Sequence, residues 1–242
     1  MDANREARAL RLAEGLPLVH RTVPTDKPDT WQMILRSGLI RAAKPCTTRE
    51  ERLGATQAAY FFLGHPAWPY GVVAFLLPQH PDVLEHATFT PFDTGGVDKH
   101  MVPIDPREPP LEGATADDFL GSHVGRGGAL AGFVGPFISA HVREPQRYVA
   151  YPRYQAPDWA PFHGFRSLSS DRRSWTVEVQ AHADVSLSPI EERVEAIVVA
   201  GRGIGLRIDD DVFGLCIEVE TEDDVPQAVI DYILAKTLEP GP

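Results

Sequence analysis

The 242-residue chain has little cysteine and no long apolar run. Its two cysteines, Cys46 and Cys216, lie far apart and outside any Cys-x-x-Cys pair, so they form no disulfide framework and are typical of reduced residues in a cytosol. No apolar run reaches the roughly 18 residues of a membrane span, and no basic-then-apolar leader opens the chain. We therefore expect a cytoplasmic protein with no membrane partner.

Positive charge is also scarce. The chain holds 34 Asp and Glu against 23 Lys and Arg, a formal net charge of −11. A surface that binds many phosphates is usually basic, so broad non-specific binding of nucleic acid is disfavoured, whereas a local basic pocket for one small anion stays open. The nine histidines show no His-x-x-x-His or His-x-His spacing and no nearby cysteine pair, so the sequence predicts no metal site.

The chain is hydrophobic enough, at 43%, to build a core. Helical patterns cover 3–14, 114–124, 129–142 and 222–236, and a further helix runs from about Trp31 to Gly38. Strand patterns cover 57–63, 71–77, 175–181, 184–188, 194–200, 205–208 and 214–220, and two more begin at 16 and 87. Strands dominate, the helices cluster early and late, and no regular βαβ alternation is present. This arrangement predicts an α+β fold.

Four glycine-, proline- or arginine-rich stretches are predicted as connections. Residues 98–113 form a proline-rich loop, and 143–174 are irregular, aromatic and arginine-bearing, which is typical of a functional loop. "GRGIG" at 201–205 is predicted as a β-turn, because Leu206 occupies the sixth place that a dinucleotide fingerprint reserves for glycine. Residues 125–128 could present amides to a phosphate, but an interhelical turn is favoured.

A polar triplet ends the first predicted strand, where a turn would be more usual. His20, Arg21 and Thr22 follow the apolar Leu18 and Val19. Backbone groups at a strand end can bind a carboxamide while a side chain reaches a ribose hydroxyl. The structural alternative is a capping threonine beside a core histidine whose hydrogen bonds are satisfied.

Strict alternation in "SWTVEVQA" places Val177 and Val179 on one strand face and Glu178 and Gln180 on the other. A mid-strand glutamate is costly if it is buried without a partner. On the pattern alone, a solvent-facing Glu178 is favoured.

Three stretches together resemble the ADP-ribosyltransferase superfamily, in the branch that holds the poly(ADP-ribose) polymerases and the DarT-like toxins. "LVHRT…WQMILRSGLI" is similar to the opening motif, in which a His ends the first strand and a helix ends in Gly-Leu. "AAYFFLGHPAWPYG" is similar to the second motif, and "RRSWTVEVQAHADVSLSPIEERVEAIVV" to the third. The resemblance implies one domain over 1–242, with a split mixed β-sheet core, peripheral helices and a helical insertion at about 98–150.

The resemblance implies a toxin-like mono-ADP-ribosyltransferase that cleaves the nicotinamide–ribose bond of NAD without a metal. Glu178 would be its catalytic carboxylate, because an oxocarbenium-like centre is stabilised by a positioned negative charge. His20 would bond the adenosine-side ribose, the backbone near Arg21 would hold nicotinamide, and Thr22 would support the turn.

The resemblance also implies residues that bind the rest of NAD. The second motif carries an aromatic side chain that stacks on nicotinamide, for which Tyr60 and Phe61 are the candidates. The candidate arginines for the anionic cofactor are Arg21, Arg126, Arg172 and Arg173.

Alternatives remain open for the carboxylate and for the activity. Glu218 and Glu220 match the Glu-x-Glu of families that modify arginine, and they rank second to Glu178. Residues 150–174 stand where the family carries its target-recognition loop. The acidic charge favours a protein or small-molecule acceptor over a nucleic acid. An NAD glycohydrolase or a catalytically silent nucleotide- or protein-binding domain of the same fold would also fit. An RNA 2′-phosphotransferase is set aside, because its His-His-Arg set has no counterpart here.

Overall fold

The computed structural model describes twelve stretches of the chain. They are residues 3–22, 30–44, 57–64, 73–90, 101–103, 125–126, 130–141, 145–150, 165–167, 177–188, 194–200 and 215–238.

Twelve strands lie in these stretches. They are β1 (Leu18–Arg21), β2 (Leu39–Ile40), β3 (Ala59–Leu63), β4 (Val73–Leu77), β5 (Ala87–Thr90), β6 (Met101–Pro103), β7 (Gly125–Arg126), β8 (Phe165–Ser167), β9 (Glu178–Ala181), β10 (Val185–Ser186), β11 (Glu195–Val199) and β12 (Leu215–Val219). Eight of them form one sheet in the order β12-β11-β4-β1-β3-β9-β5-β7, and the pairs β2–β10 and β6–β8 stand apart. The sheet is mixed, because β11 and β12 run parallel while the other neighbours are antiparallel.

The centre of the sheet is covered on both faces. All five residues of β4 are buried, and in β3 only Tyr60 is partly exposed. Such continuous apolar runs are typical of strands that bury both sides, unlike the alternating pattern of a half-exposed strand. Phe61, Phe75 and Phe89 are among the largest fully buried side chains.

Six α-helices accompany the strands in the described stretches. They are α1 (Ala3–Gly15), α2 (Thr30–Ser37), α3 (Pro81–Leu84), α4 (Leu130–His141), α5 (Pro145–Val149) and α6 (Val225–Leu238), the last preceded by a 3-10 turn at Glu222–Asp224. Helix α1 packs on α4, and α6 packs on β4 and β11. A Cβ atom added at Gly135 of α4 would lie 3.1 Å from Leu10 Cα of α1, so the glycine permits a close helix crossing.

Two glycines adopt left-handed backbone conformations at the ends of elements. Gly38 (φ 61°) ends α2 and donates its N–H to the Ile34 carbonyl at 2.8 Å. Gly64 (φ 55°) follows β3, and a Cβ atom there would lie 2.5 Å from Leu16 Cδ2. Only glycine therefore fits where the chain leaving β3 passes the chain entering β1.

Tyr148 of α5 inserts its hydroxyl between β3 and the residue before β9. The hydroxyl donates to the Leu63 carbonyl at 2.9 Å and accepts from the Val177 N–H at 3.0 Å. Leu63 N–H donates directly to the Val177 carbonyl at 2.9 Å. A hydrogen-bonded antiparallel pair exchanges two direct bonds, so the tyrosine replaces one of them and bridges a ladder that has opened. Burial raises the pKa of Tyr148 well above its ordinary value of 10.0, and the Val177 N–H opposes this effect.

The predicted mixture of helices with a mixed sheet is confirmed. The helices at 3–14 and 129–142 correspond to α1 and α4, and Gly38 ends α2 as predicted. Most predicted strands are present within two or three residues of their bounds. The predictions for 114–124, 201–205 and 205–208 lie outside the described residues.

Several local predictions were wrong. The stretch 98–113, predicted as a loop, contains β6, and the irregular 143–174 contains α5 and β8. Gly125–Arg126 was favoured as an interhelical turn but pairs with β5, because strand partners distant in sequence leave no local signal.

Tyr148→Phe is expected to lower the free energy of unfolding by about 2–4 kcal/mol, since it leaves the Leu63 carbonyl and the Val177 N–H, both buried, without their bridge. Chemical unfolding followed by circular dichroism measures the change. An unfolding midpoint equal to that of the wild type would show that the strands close without the hydroxyl.

Alkaline pH should weaken the wild type more than Tyr148→Phe. A pKa raised on folding means that the neutral phenol stabilises the folded state fully below the unfolded pKa, and that this contribution is lost as pH rises beyond it. Above about pH 10 the wild-type free energy of unfolding should fall by an additional ~1.4 kcal/mol per pH unit relative to the variant. Parallel pH profiles for the two proteins would contradict this.

Candidate functional site

A buried polar pair occupies one face of β9. Glu178 is 3% exposed and Gln180 is 2% exposed. Gln180 Nε2 donates a hydrogen bond of 2.8 Å to Glu178 Oε1. The solvent-facing position that the alternation favoured for Glu178 was therefore wrong. The alternation itself is correct, since Val177 and Val179 lie on the opposite face.

The registers of β9 with β3 and with β5 define which residues flank Glu178 and Gln180. Glu178 stands opposite Phe62 of β3, and Gln180 stands between Tyr60 of β3 and Thr88 of β5. Directly opposite residues in an antiparallel pair share a sheet face. The structure thus brings Glu178 and the candidate Tyr60 to one face, which we call the Glu178 face.

His20 and Phe61 lie on the other face. Val19 pairs with Phe62, so Val19 shares the Glu178 face and its neighbour His20 does not. The His20 ring lies 5.5 Å from the Phe61 ring, centroid to centroid, with the planes tilted by 57°. The structure therefore does not bring His20 and Glu178 together on one face, nor Phe61 with Tyr60.

The His20 ring bonds the backbone of β3. Its Nδ1 lies 2.9 Å from the Tyr60 carbonyl oxygen. Because a carbonyl only accepts, Nδ1 carries the proton, and Nε2 is the acceptor nitrogen of the neutral ring. His20 thus helps to hold the backbone of a residue whose side chain belongs to the Glu178 face.

Thr22 extends the β1–β4 ladder beyond the end of β1. Its backbone N–H donates to the Val73 carbonyl at 3.2 Å, and its hydroxyl donates to the same oxygen at 2.7 Å. The Val73 N–H donates back to the hydroxyl at 3.3 Å. Thr22 is 1% exposed. Arg21 pairs with Ala74 in the same ladder.

The remaining predicted site residues are spread more widely. Arg126 stands opposite Thr88 in the β5–β7 pair, and two strands, β9 and β5, separate β7 from β3. Arg172 and the predicted target loop at 150–174, apart from Ala150 and β8, lie outside the described residues. The second-ranked carboxylates Glu218 and Glu220 are exposed at the β12 end of the sheet, where four strands separate β12 from β9.

Polar contacts continue beyond the end of β9. Thr88 Oγ1 lies 2.8 Å from His182 Nε2. Asp184 accepts hydrogen bonds of 2.8 Å from the Ala42 N–H and from Arg41 Nη1, which hold its pKa below the usual value. These contacts tie the end of β9 to β5 and to the segment after β2, and they fix the direction in which β9 leaves the sheet.

A separate groove of about 470 Å³ lies away from the Glu178 face. Its walls come from the end of α1, the end of β4 and α6, and they include Leu16, Leu77, Tyr232 and Lys236. No predicted site residue lines it.

Sequence reasoning missed two residues that shape the site. Tyr148 lay in a stretch predicted as irregular, and no local pattern marks a hydroxyl that bridges two distant backbone groups. Gln180 was detectable, because it follows Glu178 by two residues and the alternation places both on one face. Its polarity was attributed to solvent exposure.

Within the described part of the chain, no three His, Cys, Asp or Glu side chains come together as metal ligands would. No helix in the same stretches is long and apolar enough to cross a membrane.

Comparison of the chain with protein-family models, with curated proteins and with solved structures finds no match in any of the three.

His20→Ala is expected to lower the free energy of unfolding by about 1–3 kcal/mol, since it removes the hydrogen bond to the Tyr60 carbonyl. His20→Asn should recover part of the loss, because its side-chain amide can donate from a similar position. Urea unfolding of the three proteins measures this.

The affinity of the same variants for NAD separates the two roles of His20. If the role of His20 is structural, His20→Ala is less stable than the wild type and binds NAD with unchanged affinity. If His20 makes the ribose contact that the family resemblance implies, His20→Ala binds NAD more weakly. Equal stability of all three proteins would contradict the structural role.

Proposed function

We propose that the chain is an NAD-dependent mono-ADP-ribosyltransferase, toxin-like, in which Glu178 is the catalytic carboxylate. The proposal rests on the sequence resemblance, and one structural observation supports it: Glu178 is buried in the middle of the sheet and accepts a hydrogen bond from Gln180.

Burial matters because a carboxylate removed from water interacts more strongly with a developing positive charge. Placing such a group in a sheet costs free energy unless hydrogen bonds compensate for lost hydration. Gln180 supplies one such bond. A group kept at this cost on a rigid strand is a candidate for electrostatic stabilisation of a transition state.

In the proposed reaction the bond between nicotinamide and ribose breaks, and its electron pair leaves with the nicotinamide nitrogen. The ribose carbon becomes oxocarbenium-like, and Glu178 stabilises this positive charge until the acceptor attacks. Gln180 orients the carboxylate through its amide donor. Tyr60, on the same face, is the proposed aromatic neighbour of nicotinamide, whereas Phe61 belongs to the face of His20.

We also propose the finer features that the resemblance implies. The sheet would be the split core of that fold. The protein would act in the cytoplasm on a protein or small-molecule acceptor, in keeping with its acidic charge.

One observation favours a second candidate, a catalytically silent domain of the same fold that binds a nucleotide. His20 and Glu178, which would act on the same NAD molecule, lie on opposite sheet faces. Such a domain would bind NAD without releasing nicotinamide.

Glu178→Gln keeps the shape of the side chain and removes its charge, so nicotinamide release from NAD should fall by at least about 100-fold, as when one preorganised electrostatic group is lost. Glu220→Gln is the matched control, because Glu220 is exposed beyond the far edge strand. Chromatographic measurement of nicotinamide over time gives both rates.

Three other outcomes of this experiment would lead to different conclusions about the site. Loss of turnover in Glu220→Gln with retention in Glu178→Gln would assign the chemistry to the Glu-x-Glu pair of Glu218 and Glu220. Binding of NAD without turnover by the wild type would favour the silent domain. Near wild-type turnover in both variants would remove the carboxylate from the mechanism.

A further inference from the structure

Gln180 has a polar atom whose hydrogen-bonding capacity the fold leaves unused. Its Nε2 donates to Glu178, whereas its Oε1 has no hydrogen-bond partner in the part of the chain that the structure describes, although the side chain is 98% removed from solvent. A buried carbonyl oxygen without a donor costs free energy, so buried acceptors in folded proteins are almost always satisfied. An exception on the strand of the proposed catalytic carboxylate calls for a reason.

While Glu178 is ionised, as the proposed mechanism requires, the orientation of the amide cannot be reversed to relieve this. If Oε1 faced Glu178, two acceptors would meet at 2.8 Å, which an ionised carboxylate does not permit. The hydrogen bond to the carboxylate therefore holds the amide so that its Oε1 points away from Glu178 Oε1. Two acceptor groups, one charged and one neutral, then lie next to each other on the Glu178 face.

We propose that Gln180 is a specificity-determining residue of this site, whose Oε1 accepts a hydrogen bond from an O–H group of the substrate beside the Glu178 carboxylate. This inference rests on the proposed function for the identity of the substrate. The vicinal hydroxyls of a ribose present two donors side by side, and they match the two adjacent acceptors. One hydroxyl bonds Glu178 and the other bonds Gln180.

This assignment explains why the site accepts an unsatisfied group. A site built to hydrogen-bond a hydroxyl rejects an analogue that lacks it, because its buried acceptor is then left unpaired. Without a ligand the unsatisfied oxygen lowers stability, and with a ligand it contributes to discrimination.

The test compares Gln180→Met with the wild type on three substrates: NAD, and the two analogues whose nicotinamide-side ribose lacks the 2′- or the 3′-hydroxyl. On NAD, Gln180→Met should lower kcat/KM by about 10- to 100-fold, the range expected for loss of one buried hydrogen bond. On one analogue the substitution should cause a clearly smaller loss, since the hydroxyl that Gln180 binds is already absent and only the lost hydrogen bond to Glu178 remains. On the other analogue, the full loss should persist.

Val179→Ala is the control, because Val179 is buried in the same strand on the opposite face. This variant should be less stable, and any change in its kcat/KM should be the same for NAD and for both analogues. Equal losses for Gln180→Met on all three substrates would overturn the inference and leave Gln180 with only a role in orienting Glu178. Unchanged kinetics would also overturn the inference, because no substrate hydroxyl would then depend on Gln180.

The inference and the proposed function can fail separately. If the wild type releases nicotinamide but the effect of Gln180→Met does not depend on either ribose hydroxyl, the inference is rejected and the proposed function stands. If the wild type releases no nicotinamide, calorimetric titration with NAD and the two analogues replaces the kinetics. Weaker NAD binding by Gln180→Met, coupled to one hydroxyl, then supports the inference and rejects the activity, whereas no binding rejects both.

Discussion

The hydroxyl of Tyr148 is the contact on which the arrangement of the site depends. It takes the place of a backbone bond between Leu63 and Val177 and so joins α5 to the strands on either side of the gap. Helix α5 also contacts α1, α4 and α6, so this one group links the helices to β3 and β9. Glu178 is the next residue after Val177. Its position therefore depends on a tyrosine that is 30 residues earlier in the chain.

Side chains also complete the hydrogen bonding at other strand ends around β1 and β3. His20 bonds the Tyr60 carbonyl, and the Thr22 hydroxyl bonds both backbone groups of Val73. A buried backbone group needs a partner, and these side chains supply or supplement that partner where the regular ladder ends. The polar triplet that ends β1 thus has a structural explanation, which is independent of its proposed role in binding NAD.

The Glu178 face combines rigidity with unfavourable burial. Strands β3 and β5 flank β9 and fix its backbone, while the surrounding core is largely apolar. In such surroundings a carboxylate and an amide lower stability unless every polar atom is paired. One pairing is present within the strand, between Gln180 and Glu178. This balance is typical of sites that sacrifice some stability for a preorganised charge.

Local patterns predicted the helices at 3–14 and 129–142, the Gly38 terminus and the alternation that separates Val179 from Glu178, because side-chain periodicity is a property of neighbouring residues. Burial of Glu178 was not predictable, since it depends on the elements that cover the strand. The same holds for the placement of His20 and Glu178 on opposite faces. That relation follows from the registers of β1 with β3 and of β3 with β9, and a shift of one residue in either would reverse it. Register is set by contacts between residues far apart in the chain, so no local pattern records it.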